Sequence, residues 1–131
     1  MTSEWLNISR IEDYLFNMLS KCKDLGTVIA GDCLTDTLNR NSERITLISC
    51  GKIHDWHGYG QGTVLIFLFC KSTAKGAKNV PVLFKMEETL RTVIEEATHE
   101  HYSINRGQTY TDYDSKYDMH CNIIELNITI K

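Results

Sequence analysis

The sequence is poor in most of the features that would set it apart from an ordinary folded domain. One proline and eight glycines in 131 residues exclude collagen-like and proline-rich low-complexity chains. Fourteen Lys and Arg against seventeen Asp and Glu give a formal charge of -3. That leaves no cationic surplus to displace counterions from a phosphate backbone, so nucleic acid is a poor default partner. No apolar run approaches the roughly 20 residues of a membrane-spanning helix; the longest, Val64 to Cys70, has seven, and no membrane partner is predicted. Met1-Thr2-Ser3-Glu4-Trp5 carries an acid where a secretory signal needs a basic stretch, so no signal peptide is expected. The five cysteines, at 22, 33, 50, 70 and 121, are an odd set without a C-x-x-C spacing. Reduced thiols packed as small hydrophobes, in a chain made in a cytosol, are the expected state.

What remains is 42% hydrophobic and 24% charged residues, enough for one packed core, and the length fits a single domain over residues 1–131. Ser9-Arg10-Ile11-Glu12 reads as a capping box opening a helix. Ile11, Tyr14, Leu15, Met18, Leu19 and Cys22 draw its apolar stripe, and Leu25-Gly26 is the stop. Thr27 to Ala30 reads as a short strand, Thr35 to Glu43 as a polar loop and Ile45 to Ile53 as a second strand. Three glycines in His54 to Gly62 favour a turn, and Thr63 to Lys71 is a strongly apolar strand covered on both faces.

Pro81 suits the first turn of a long helix from Val82 to about His101. Its positions Leu83, Met86, Leu90, Val93, Ile94 and Ala97 face inward, and Glu87, Glu88, Arg91, Glu95 and Glu96 face outward. Gln108 to Asp114 reads as a strand turned back at Ser115-Lys116. In the last segment Ile124, Leu126, Ile128 and Ile130 alternate strictly with polar residues. The order α-β-β-β-α-β-β predicts an α+β fold, a mainly antiparallel sheet of about five strands against two amphipathic helices.

Chemistry is sparse. His99 and His101, two apart on a predicted helix, point about 200° from one another, and His54-x-x-His57 has no partner at a zinc spacing. No structural metal is expected. His120 and Cys121 are strand neighbours on opposite faces, which defeats a Cys-His nucleophile. Gly58-x-Gly60-x-Gly62 precedes a strand, whereas phosphate loops open a helix. No catalytic residue and no cofactor are predicted. Asp112, Asp114 and Asp118, interleaved with Tyr110, Tyr113 and Tyr117, read as solvated decoration, and Lys71, Lys75 and Lys78 as connector surface. A small-molecule or metal site built from His54 to Gly62 and Asp112 to Asp118 stands as the competing reading. Trp56, His57 and Tyr59 are the candidate interaction residues, because exposed aromatics in a glycine-rich segment bury much area at low entropic cost when a partner docks.

With all elements in order, the chain resembles the tail terminator (tail completion) proteins of long-tailed bacteriophages, and more broadly the small neck proteins of the head-to-tail junction. The resemblance rests on the helix from Arg10 to Lys23, the strands ending in Gly62-Thr63-Val64-Leu65-Ile66-Phe67-Leu68-Phe69, the helix from Val82 to His101, and the closing hairpin that ends in Ile123 to Lys131. It implies a non-enzymatic virion protein made in the host cytoplasm. Six copies would form a ring that caps the tail tube protein and meets the head-closure (connector) protein, with DNA only as passing cargo. A head-closure or adaptor position in the neck is the neighbouring alternative.

Overall fold

The computed structural model describes residues 7–31, 42–56, 59–97 and 100–130. The fold is α+β, in the predicted order: α1 (Ile8–Leu19), β1 (Thr27–Ala30), β2 (Arg44–Trp56), β3 (Tyr59–Lys71), α2 (Val80–Glu96), β4 (Tyr102–Asp114) and β5 (Met119–Ile130). The five strands form one sheet in the order β1-β2-β3-β5-β4. All neighbours are antiparallel except β1 and β2, which run parallel.

Both helices lie on one face of this sheet. Ile11, Leu15 and Leu19 of α1 and Leu83, Met86 and Leu90 of α2 meet Val64, Ile66 and Leu68 of β3 and the isoleucine and leucine row of β5. Each such side chain contributes about 1.5–3 kcal/mol when fully buried. Odd-numbered residues of β1, β2, β3 and β5 build a second cluster on the other face, where Ile45, Leu47, Phe69, Met119 and Cys121 are buried and Ile29, Phe67 and Ile123 pack against them. Central β3 is therefore apolar on both sides, as its unbroken hydrophobic run predicts.

Several boundaries differ from the sequence reading, each for a local reason. The N-cap of α1 is Asn7, whose side chain accepts from the Arg10 amide at 3.2 Å. Glu12, freed from the predicted capping box, reaches instead to β2. The helix stops at Leu19, and Cys22 lies beyond it, before a single 3-10 turn over Lys23–Leu25 that ends on Gly26 at φ 68. A Cβ at Gly26 would lie on the Arg44 carbonyl, so close backbone approach dictates glycine there.

Helix α2 starts two residues earlier than predicted, with Asn79 as cap and Pro81 in its first turn, and ends at Glu96. The strands reach further into the glycine-rich segment than predicted: β2 continues to Trp56 and β3 begins at Tyr59, paired with it, and Gly60 and Gly62 are strand residues, while residues 57 and 58 between them lie outside the described residues. Cross-strand hydrogen bonding overrides the turn preference of glycine here. Strand β4 starts at Tyr102, six residues before the predicted start, because it pairs with β5 along its whole length apart from one irregularity between Arg106 and Thr109.

Candidate interface at the open edge of the sheet

Of the predicted interaction residues, Trp56 and Tyr59 face one another as the last backbone pair of the β2–β3 hairpin. His57 lies outside the described residues, as do His99, Cys33 and residues 35–41 of the predicted polar loop. The competing site does not assemble. Gly62 pairs with Ile128 and Asp114 with Met119, nine residues apart along β5, which is about 30 Å at the rise of a strand. His54 and His120 are likewise at opposite ends of the sheet, through Gln61 opposite Thr129 and Cys70 opposite His120. Among the described residues no group of three or more His, Cys, Asp or Glu could hold a metal ion.

The aspartates at the β4–β5 turn build the turn itself. Asp114 Oδ1 accepts from the Lys116 and Tyr117 amides at 3.0 and 3.3 Å, and Asp112 Oδ1 from the Tyr113 amide at 2.8 Å. Asp118 sits at φ 51, a conformation that Asp tolerates better than most residues. Its Oδ1 accepts from the Tyr113 hydroxyl at 2.7 Å and the Ser72 hydroxyl at 2.8 Å. The Tyr113 hydrogen bond and then that of Ser72 hold the Asp118 carboxyl below its ordinary range. The Tyr113 ring lies 4.7 Å from that of His120, whose Nε2 is buried without a hydrogen-bond partner in the described structure. The predicted lysine connector is anchored as well: Lys78 Nζ donates to Asn122 at 2.8 Å and Thr111 at 3.0 Å.

The feature that sequence reasoning missed is a groove of about 510 Å³ between α2 and β4. Leu90, Ile94, Ile104, Ile124 and Leu126 give it an apolar lining, with Tyr14 and Tyr102 at 5.1 Å between ring centroids. Its rim carries Glu87, Arg91, Glu95 and Arg106. Arg91 donates to Glu88 at 2.6 Å and to Glu95 at 3.0 Å, and Arg106 stands 3.7 Å from Glu87 across the groove. At 100° per residue Val80, Phe84, Glu87 and Arg91 share one flank of α2, an arc of about 60°. Val80 and Phe84 are 59% and 62% exposed, so the groove wall continues as an apolar ridge toward the start of the helix. The periodicity of α2 contained part of this signal, since Phe84 and Val80 fall outside its buried stripe.

Beyond the groove the sheet ends. Strand β4 has β5 on one side and no strand on the other among the described residues, and most of its residues are exposed. Such an edge presents unpaired N–H and C=O groups and is a template for another strand. One extra residue in β4 between Arg106 and Thr109 divides the edge into two stretches, Tyr102 to Arg106 and Thr109 to Asp114. Gly107 lies in this bulge, where a Cβ would come within 2.9 Å of side-chain atoms of Glu125 and Asn127.

The described thiols are placed as packing groups. Burial pushes Cys121 up to about 12, and burial followed by the Glu12 charge pushes Cys50 up to about 11. No described helix is long and apolar enough to cross a membrane. A scan against protein-family models gives no match, and a search of curated proteins gives none.

Proposed function

We propose that this chain is a structural protein of a bacteriophage neck, a tail terminator. Its copies close into a ring that caps a finished tail tube, stops tube polymerisation and offers its other side to the head-closure protein. No reaction is catalysed in this reading, and DNA passes without being gripped. The observation that carries it is the 13-residue edge strand β4, open on one side among the described residues, on a sheet with both helices on one face. A lone molecule gains nothing from such an edge, whereas an assembling one covers it. The helix and strand order, the same as that on which the resemblance rests, supports the phage assignment.

The test is to mix the purified chain with tail tube subunits and image the product. Rings at tube ends and arrest of tube growth are the expected result. A monomer that leaves tube length unchanged would overturn the reading.

The α2–β4 groove favours one second reading, a binding domain for a small amphipathic molecule, because its volume and apolar lining suit such a ligand. A ligand at about 100 times its Kd stabilises by roughly 2.7 kcal/mol, so a thermal-shift screen separates the two readings.

A further inference from the structure

We propose that the seam between neighbouring copies joins the two strands that end the sheet among the described residues, the Tyr102 to Arg106 stretch of β4 in one copy accepting β1 (Thr27–Ala30) of the next. The inference rests on the ring reading and names the surfaces that would make it. Strands β1 and β4 are the two ends of the strand order, so one chain carries both halves of a head-to-tail contact. A contact between two different patches closes into a ring if its rotation allows, whereas two β4 edges paired with each other would stop at a dimer.

Length and charge both select this pairing. The β4 bulge limits regular pairing on the groove side to the five residues Tyr102 to Arg106, and β1 has four. Because both helices lie on one face, a sheet continued across the seam brings the α1–β1 connection of one copy beside the α2 flank of the other. That connection carries Lys21 and Lys23, both exposed, while its own Asp24 carboxylate already accepts from Thr89 on α2 of the same copy at 3.2 Å. On the opposing flank Glu87, Glu88 and Glu95 outnumber Arg91 and Arg106. A β4–β4 contact would set the acidic flanks against each other, and like charges across an interface are costly.

The test follows assembly of the full chain by sedimentation velocity at low salt, with far-UV circular dichroism as the folding control. Lys21→Glu with Lys23→Glu, and separately Glu87→Lys with Glu88→Lys, should each raise the concentration for half-assembly by about tenfold or more. The fourfold variant, with both sides reversed, should recover most of that loss. A second measurement is independent of the charge variants: oxidised Ile29→Cys with Ser103→Cys, both on the sheet face away from the helices, should give a ladder of covalent multimers above the wild-type blank. Assembly at wild-type concentration in both double variants, or no ladder, would overturn the seam and leave the ring reading intact. Dimers and nothing larger from Ser103→Cys alone would overturn it in favour of paired β4 edges. A wild-type chain that stays monomeric at every concentration, and on tube ends too, would overturn the seam and the ring together.

Discussion

The carboxylate of Glu12 in α1 accepts a hydrogen bond from the backbone amide of Cys50 at 3.0 Å, at the point where the β2–β3 register skips between Cys50 and Lys52. A bulge removes a ladder partner from its strand, and here a helix side chain supplies the acceptor. Cys50 is itself buried. Glu12→Ala should therefore cost about 1.5–3 kcal/mol, the range for a hydrogen bond to a charged group. Glu12→Gln, which keeps an acceptor, should cost less; urea denaturation of the two variants checks the order.

Gly26 gives a sharper expectation. With φ at 68 and the Arg44 carbonyl where a Cβ would be, Gly26→Ala combines backbone strain of about 1–3 kcal/mol with a steric clash. Its loss should exceed that of Gly76→Ala, where a Cβ meets nothing within 4 Å although φ is 80. The comparison of the two denaturation midpoints isolates the clash.

Asp118 makes the β4–β5 turn sensitive to acid. Its folded carboxyl lies below the ordinary range because Tyr113 and Ser72 donate to the charged form. Its contribution is therefore complete above the unfolded carboxylate value of about 4 and is lost as pH falls through the folded one. Asp118→Asn should remove this part of the acid dependence while tolerating φ 51. Stability measured between about pH 2 and pH 5 for both chains tests it, and equal slopes would refute it.

Thiol reactivity should follow burial. At neutral pH a thiol-directed alkylating reagent should label Cys50 and Cys121 slowly in the native chain, since burial raises both thiols far above the solution pH. In denaturant both should react promptly. Peptide mapping by mass spectrometry reads the two states.

At the hairpin end, Trp56→Ala and Tyr59→Ala should abolish capping of tail tubes with the melting temperature unchanged if these rings serve a partner. A lowered melting temperature with normal capping would place them in the monomer instead.

Strands and helices were legible in the sequence wherever one face of an element decides its fate. The strict alternation from Ile124 to Ile130 and the stripe from Leu83 to Leu90 each state a periodicity that burial enforces. The extension of both strands to Trp56 and Tyr59 was not, because glycine content reports local freedom whereas the pairing of Gly60 with Asp55 and Ile130 is a long-range event. The start of β4 was hidden for a similar reason: Ser103, Asn105 and Arg106 look like loop residues until β5 is alongside. The groove follows from the height of α2 over β4, which no single-element pattern encodes.

Strand β5 lies between β3 and β4 although it follows both in the chain. During synthesis, β3 and β4 therefore leave the ribosome without the strand that joins them. Until β5 is made, β3 has one bare flank and β4 has no partner strand among the described residues. A chain broken before Met119 would therefore keep the pairings of β1, β2 and β3 but leave β4 with nothing to pair with, so the sheet can close only once that last strand has been made.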